Sequence, residues 1–417
     1  MSSASRRTIC GLGATAPGGS ATSPVFSAPS YASADAFGRL RVSNPVTLFD
    51  SKHLHDKLPL VYDEAITNSS GNATSTHSTT DASVRMHVEG NDDITRQTFA
   101  RFNYQPGKSQ LAFFTFVLDA GANNTNVTRK VGLYDGDDGV YLIDVNGTLG
   151  FAVEKNSSRT TTSQTSWSLD TMNGDGPSGV ILDRTKAQIL VIDYEWLGTG
   201  TVRFGFIING RIIYAHAEDH ANVASSVYMS TPNLPVHYSI DSSGAGTDAS
   251  MDQICSTVIS EGGLQDLGRT FTVSNGSTAV RASSVGTWYA TLGLRLGSSY
   301  LDSVVALHEI DILIATNDDM EWAVFSAPTV AGTFTYGALT NSPIEYAAGA
   351  TANSVTGGTR LAGGYVKNSS SRRLDLPERS SVFGASIAGV PREIILAVTP
   401  LSINLDVLTA ISFRDVS

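Results

Sequence analysis

A chain of 417 residues is longer than one hydrophobic core usually serves, which favours two domains. Charged residues make up only 16% and the net charge is −11, which argues against a nucleic-acid partner because phosphate binding needs clustered lysine and arginine. No stretch approaches the ~18 apolar residues of a membrane span, and two cysteines exclude both a disulfide scaffold and a cysteine-built metal cluster.

The first 35 residues are rich in serine, alanine, glycine and proline and show no apolar period. Such a segment should be disordered on its own, because ordering its backbone costs roughly 1–2 kcal/mol per residue. We therefore expect residues 1–35 to form an extended N-terminal arm that becomes ordered across another subunit. The apolar anchors of that contact would be Val25, Phe26 and Tyr31.

Strand signals are dense from residue 36 to residue 262. Apolar and polar residues alternate in VRMHVEG (84–90), while LAFFTFVLD (111–119) is a continuous apolar run, typical of a strand covered on both faces. Asn146-Gly147 and Asn209-Gly210 each predict a two-residue hairpin turn, because both residue types tolerate positive φ. A meander of this kind predicts a lectin-like β-sandwich.

Glycine and polar residues interrupt the strand pattern in EGGLQDLG (261–268), so we place the domain boundary at residue 262. Residues 263–417 carry further strand signals, among them VVALHEIDILIA (304–315) and EIILAVTPL (393–401). No helical pattern is longer than two turns. The sequence therefore predicts an all-β protein, with two tandem β-sandwiches of the jelly-roll or lectin-like type following the arm.

One strand carries acids in a pattern that also occurs in sugar hydrolases. In HEIDILI (308–314), the side chains of Glu309, Asp311 and Leu313 share one face. A retaining glycosidase needs two carboxyl groups ~5–5.5 Å apart, and Leu313 occupies the position where the second acid would stand. The sequence therefore favours a strand with a polar outer side, and predicts that the protein is not an enzyme.

A second acid pair, Asp193 and Glu195, shares the face of another strand. These carboxylates could act as an acid pair or bind calcium. Strand acids of this kind more often face water or pair with a cross-strand arginine, for which Arg203 is the candidate.

Two histidine pairs have spacings that partly match metal sites. His216 and His220 are four residues apart, but a zinc helix needs a glutamate directly after the first histidine. His53 and His55 could share a strand face, but no third ligand follows nearby.

Two glycine-containing stretches resemble ligand-binding loops, but each lacks a feature that the corresponding site requires. YDGDDG (134–139) begins like a calcium loop, but its twelfth position is Asn146, where a glutamate is needed. GDGPSG (174–179) matches the dinucleotide fingerprint, but a strand-like segment follows it where a helix is needed. The sequence therefore predicts no catalytic residue, no metal ligand and no cofactor.

Several stretches together resemble a group of virion structural proteins of tailed bacteriophages. They are DAFGRLRVSNPVTLFDS (35–51), YQPGKSQLAFFTFVL (104–118), IDYEWLGTGTVRFGFIINGRIIYAH (192–216), VYMSTPNLPVHYSI (227–240) and PREIILAVTPL (391–401). The resemblance spans most of residues 35–417 and implies a particle component, located in the virion after assembly in the host cytoplasm. Its implied partners are other virion proteins and copies of itself, without nucleic acid or membrane. It implies no particular functional residue.

The sequence is compatible with three functions. The first is a non-enzymatic capsid decoration or minor capsid protein anchored by the N-terminal arm. The second is a tail-fibre or receptor-binding protein that recognises host-surface glycan, because aromatic rings and amides in a groove bind sugars. Its candidate residues are Trp167, Tyr134, Tyr141 and Asp144. The third is a glycosidase, which would need the strand at 308–314 to recruit another acid.

Overall fold

The described chain is almost entirely β-structure. A computed structural model describes residues 44–118, 125–244, 248–265, 267–316, 318–367, 371–375, 383–402 and 404–417, with 371–375 described by backbone alone. The predicted all-β class is confirmed. In the part of the chain that is described, no helix has the length and apolar character needed to cross a membrane.

The first fifteen strands and a short 3-10 helix (Gln164–Ser166) lie before residue 261. The strands are β1 (Val46–Lys52), β2 (Tyr62–Thr67), β3 (Thr74–Ser78), β4 (Ser83–Glu89), β5 (Asp93–Thr98), β6 (Gln110–Val117), β7 (Val127–Tyr134), β8 (Gly139–Val145), β9 (Thr148–Lys155), β10 (Ser158–Ser163), β11 (Ala187–Tyr194), β12 (Thr201–Ile208), β13 (Arg211–Asp219), β14 (Val236–Ser242) and β15 (Asp248–Ser260).

These strands form two antiparallel sheets. The eight-stranded sheet has the order β13-β12-β11-β6-β15-β4-β3, with β1 paired to β15, and the seven-stranded sheet has the order β10-β9-β8-β7-β14-β5-β2. Their inner faces share one core, in which Phe151 of the seven-stranded sheet stacks on Phe204 of the eight-stranded sheet at 4.6 Å. We call this pair of sheets the first sandwich.

The remaining thirteen strands form a second pair of sheets with a separate core, the second sandwich. They are β16 (Arg269–Ser274), β17 (Val280–Ala282), β18 (Trp288–Leu296), β19 (Val305–Ile314), β20 (Met320–Ser326), β21 (Thr329–Val330), β22 (Gly337–Ala338), β23 (Ile344–Ala348), β24 (Ser354–Thr356), β25 (Thr359–Val366), β26 (Ser371–Asp375), β27 (Ile394–Pro400) and β28 (Leu405–Asp415).

One sheet of the second sandwich has the order β16-β28-β19-β26, with β17 also paired to β28. The other follows β21-β24-β18-β27-β20-β25, with β23 joining β18 to β22. The chain passes between the sandwiches after Ser260 and before Arg269. That the two halves are domains divided at residue 262 stays a prediction.

Both predicted hairpin turns are confirmed. Val145 pairs with Thr148 around Asn146-Gly147, whose φ values are 52° and 84°. The second turn has the same form, with φ values of 51° at Asn209 and 74° at Gly210. Positive φ at both central residues is the requirement of a type I′ turn, so local chemistry fixes these two connections.

Valine at position 210 tests this turn. An added Cβ at Gly210 meets no atom within 4 Å, so the backbone conformation alone sets the cost. A β-branched residue at φ of 74° is strained, and we expect Gly210→Val to lower the free energy of unfolding by more than ~1 kcal/mol. Gly210→Asn is the matched control and should cost less, because asparagine tolerates this conformation. Urea unfolding measures both, and equal stability of the two variants would contradict the strain argument.

Candidate functional site

The acids of HEIDILI lie where the sequence predicts them, on the outer face of β19. Ile310, Ile312 and Ile314 enter the core of the second sandwich, while Glu309 is buried outside it and Asp311 is exposed. The residues of β28 that pair with Glu309 and Asp311 are a serine and an alanine. On the other side of β19, strand β26 pairs with it and places Asp375 opposite Glu309.

The second acid pair has a structural role. Asp193 accepts hydrogen bonds from the Arg203 guanidinium and, at 2.8 Å, from the Tyr214 hydroxyl. The predicted cross-strand pairing with Arg203 is confirmed. The Glu195 carboxylate accepts a bond from the backbone N–H of Thr201 at 3.3 Å and so helps to close the loop after β11.

The loop that resembles a calcium site joins β7 to β8 and binds its own backbone. Asp135 Oδ1 accepts hydrogen bonds from the N–H groups of Asp137 and Asp138 at 2.9 and 2.7 Å, while its other oxygen accepts one from Arg101 at 2.6 Å. Asp138 in turn accepts bonds from the backbone and hydroxyl of Ser230. The carboxylates therefore fix a turn and tie two loops together.

Among the described residues, no group of three or more histidine, cysteine and acidic side chains could hold a metal ion. His216 Nδ1 lies 3.0 Å from the Ser168 hydroxyl, and His220 Nδ1 lies 2.7 Å from the Gly200 carbonyl. His53 is fully buried, and burial together with the charge of Arg96 lowers its pKa to about 4. It is therefore a neutral core side chain near neutral pH.

The four residues considered for glycan binding divide into two groups. Trp167 stacks on Phe151 at 4.3 Å inside the core, and Asp144 forms a buried ion pair with Arg129 at 2.8 Å. Tyr134 and Tyr141 instead lie side by side on the outer face of the seven-stranded sheet, with ring centroids 4.8 Å apart. All four are buried, so none of them offers an exposed ring or carboxylate.

A polar cluster surrounds the two tyrosines. The Tyr141 hydroxyl donates to Glu154, while the Tyr134 hydroxyl donates to the Gly136 carbonyl at 2.7 Å and lies 3.4 Å from Glu154 Oε1. The Lys130 ammonium lies 4.3 Å from the Tyr134 ring centre. Burial and the Glu154 charge raise the pKa of Tyr134, while burial and Lys130 lower the pKa of His237 to about 3. The cluster therefore holds neutral tyrosine and histidine side chains on this outer face, next to a cleft.

This first cleft lies between the two sandwiches and has a volume of 550 Å³. The first sandwich lines it with Gln97, Arg101, the 135–138 loop, Asn156 and Ser230. The second sandwich lines it with the loop after β18 (Ser298, Ser299, Leu301, Asp302) and with residues 385–389. Clefts between domains are a common place for ligand binding.

Direct contacts fix the two walls of the first cleft. The Ile387 N–H donates to Asp63 Oδ2 at 2.7 Å, and the Arg392 guanidinium donates to the Leu60 carbonyl at 2.7 Å. On the other side, Asn233 Nδ2 donates to the Asp302 carbonyl at 3.3 Å. The cleft is thus built before any ligand arrives, which reduces the entropy lost on binding.

The lining of the first cleft is polar and acidic. Asp137, Asn156, Ser298, Ser299 and Asp302 are exposed and bring carboxylate, amide and hydroxyl groups to the space. Arg101 lines the cleft as well, but it is paired with a carboxylate of the 135–138 loop. The arrangement suits a ligand with many hydroxyl groups and disfavours an anionic one.

A second cleft of 450 Å³ adjoins the first. It is lined by Tyr104, Pro106, Lys108, Trp196, Leu267 and the C-terminal residues Val416 and Ser417, among others. The Trp196 ring is half-buried and its Nε1 donates to the Met229 carbonyl at 3.0 Å. This cleft is less polar than the first and has an aromatic wall.

Sequence reasoning missed both clefts, because their walls come from loops far apart in the chain. The quoted stretch VYMSTPNLPVHYSI contains Ser230, Thr231 and Asn233, which line the clefts, but nothing local marks them as a site. The predicted arm anchors Val25, Phe26 and Tyr31 lie outside the described residues.

No known family model matches the sequence, and no curated protein matches it. Similar solved structures include an endo-1,3-beta-glucanase from Streptomyces sioyaensis, with 9% identity, a TM-score of 0.35 and coverage of 52% of this chain and 97% of that one. The carbohydrate recognition domain of Emp47p has 10% identity, a TM-score of 0.34 and coverage of 52% and 98%. Arcelin-5, a lectin-like defense protein from Phaseolus vulgaris, has 9% identity, a TM-score of 0.31 and coverage of 52% and 99%. With TM-scores this low, these similarities carry no argument about what this chain binds or does.

Proposed function

We propose that the protein is a non-enzymatic component of a tailed-bacteriophage particle that binds an uncharged glycan in the first cleft. The observation that carries the glycan part is the preformed polar cleft of 550 Å³ between the two sandwiches. The particle part rests on the resemblance of the sequence to virion structural proteins. Together, the two parts imply that the ligand is a glycan of the host-cell surface.

The chemistry of the first cleft supports a glycan over the other ligand classes. Sugar hydroxyls both donate and accept, and the exposed carboxylates of Asp137 and Asp302 and the amide of Asn156 meet that pattern. A phosphate-bearing ligand would meet several carboxylates and a single arginine that is already paired. Electrostatic repulsion therefore disfavours nucleotides and acidic polymers.

Binding and its dependence on Asp302 test this function. We expect the purified protein to bind at least one uncharged polysaccharide from a panel of bacterial and algal glycans. Asp302→Ala should then weaken binding by about tenfold or more, because a hydrogen bond to a charged group contributes ~1.5–3 kcal/mol. Isothermal titration calorimetry measures the change. Asp311→Ala, an exposed acid on the outer face of β19, is the matched control and should bind as the wild type does.

The same panel tests the absence of hydrolysis. We expect no release of reducing ends from any bound glycan, because Leu313 stands where the hydrolase pattern places its second acid and Glu309 is buried. Turnover that disappears in Glu309→Gln would overturn the non-enzymatic part of the proposal. Failure of every uncharged glycan to bind would overturn the glycan part.

The position of the protein on the particle is also part of the proposal. We take it to be a capsid decoration or minor capsid protein, held by the arm of residues 1–35 on a neighbouring subunit. An extended chain of this length spans on the order of 100 Å, which reaches well beyond one sandwich. A tail-fibre or receptor-binding position is the alternative, and the glycan cleft serves either position.

A further inference from the structure

We propose that the first and second clefts form one continuous groove that binds a linear, uncharged glycan several sugar units long. This inference rests on the proposed function and adds the ligand's shape and length. The polar first cleft would hold one end by hydrogen bonds, and Trp196 in the second cleft would stack on a sugar ring further along.

Shared lining residues are the geometric reason for a single groove. Ser230, Thr231 and Asp302 line both clefts, so the two spaces meet at these side chains. The contact from Asn233 Nδ2 to the Asp302 carbonyl lies at the same place and joins the sandwiches there. A ligand that crosses this junction therefore contacts both sandwiches and both clefts.

The volumes indicate a ligand longer than one sugar ring. The clefts measure 550 and 450 Å³, and each falls in the range of ~300–1,000 Å³ that usually holds a complete small ligand. A single ring would leave most of this space to water. A chain of several rings would fill both clefts and gain contacts along its length.

The Trp196 ring is held in a fixed orientation. Its Nε1 donates to the Met229 carbonyl at 3.0 Å, and its edge packs against Tyr104 with centroids 6.3 Å apart. The backbone N–H of Trp196 donates to the Tyr104 hydroxyl at 2.9 Å. A ring already held in one orientation loses little conformational entropy when an apolar sugar face stacks on it.

The second cleft does not favour an anionic glycan. Its lysine, Lys108, donates to Gln105 Oε1 at 2.6 Å and to the Gly263 carbonyl at 3.1 Å, so two of its three N–H donors are used within the protein. The carboxylate of Asp302 stands at the junction with the first cleft. The preferred ligand along the whole groove is therefore uncharged.

Affinity as a function of chain length tests this inference. The probes are uncharged oligomers of glucose, mannose and galactose from one to eight units, with binding measured by calorimetry on the full-length protein. We expect the affinity to rise at least tenfold between two and six units for the oligomer that binds. Trp196→Ala should remove this gain and leave the binding of the disaccharide within twofold of the wild type.

A second variant keeps the test valid if Trp196→Ala fails to fold. Leu267 lines the second cleft and is 69% exposed, so Leu267→Glu should not disturb the core. We expect this charge to weaken hexamer binding at least fivefold and to leave disaccharide binding unchanged. Two results would contradict a continuous groove and leave the proposed function standing. One is equal affinity for short and long oligomers, and the other is an undiminished rise of affinity with oligomer length in both variants. Absence of binding at every length would overturn the proposed function itself.

Discussion

Replacing Glu64 by alanine is expected to lower the free energy of unfolding by about 3–5 kcal/mol, because it leaves a buried arginine without its counter-charge. Arg96 is 1% exposed and points into the core of the first sandwich. It donates to the Glu64 carboxylate, to Gln253 Oε1 at 2.7 Å and to the Lys57 carbonyl at 2.6 Å. Only Glu64 among these acceptors carries a negative charge.

Asp311→Ala provides the matched control. Asp311 is an exposed strand acid, and its loss should change stability by no more than ~0.5 kcal/mol. The double variant Arg96→Met with Glu64→Leu should be more stable than Glu64→Ala alone, since it removes the uncompensated charge as well. Urea unfolding followed by tryptophan fluorescence measures all three. A Glu64→Ala variant as stable as Asp311→Ala would contradict the argument.

The pH dependence of the same pair has a definite sign. Burial alone would raise the pKa of Glu64, but hydrogen bonds from Lys57 and Ser75 and the charge of Arg96 outweigh it and lower the pKa below its usual 4.5. A carboxyl with a lowered pKa stabilises the fold above its unfolded pKa, and this contribution is lost as the pH falls through the folded value. The difference in free energy of unfolding between the wild type and Glu64→Gln should therefore be largest at pH 7 and should decrease as the pH falls below about 4.5.

Local patterns predicted much of the fold. The alternation in VRMHVEG placed Val84, Met86 and Val88 on one face, and all three are fully buried, with Met86 and Val88 in the core of the first sandwich. The two asparagine–glycine turns were also predictable, because positive φ is a property of the residues themselves. These features need information from only a few neighbouring residues.

Arg96 shows where such patterns fail. On β5, Ile94 and Arg96 point to the same inner face, although alternation alone would place a charged residue outside. Glu64 on β2 and Gln253 on β15 make this position possible, and they lie 32 and 157 residues away in the chain. Only the pairing of strands from both sheets brings these partners together.

The clefts could not be predicted either, because their walls come from residues that are far apart in the chain. The contact between Asp63 and Ile387 spans 324 residues, and that between Asn233 and Asp302 spans 69. Both depend on how one sandwich packs against the other, which no period within a strand encodes. Loops that carry no local sequence signal thus line both clefts.

Deleting residues 2–30 is expected to abolish or strongly reduce incorporation of the protein into particles. The deleted segment includes Val25 and Phe26 and lies outside the described residues, while β1, the first described strand, begins at Val46. The two sandwiches keep their strands and both cores after the deletion, so the melting temperature of the isolated protein should stay nearly unchanged.

Loss of an arm that binds another subunit should affect these two measurements differently. Ordering the 29 deleted residues, which have low apolar content, costs roughly 1–2 kcal/mol for each one, and only contacts with another subunit would offset that cost. Occupancy in particles, measured by quantitative mass spectrometry, should therefore fall while thermal unfolding does not change. The triple variant Val25→Ser, Phe26→Ser and Tyr31→Ser keeps the full chain length and should show the same loss if these side chains are the anchors. Full occupancy of the truncated protein would make the arm a passive tail, and unfolding of the isolated truncated protein would instead make it part of the first sandwich.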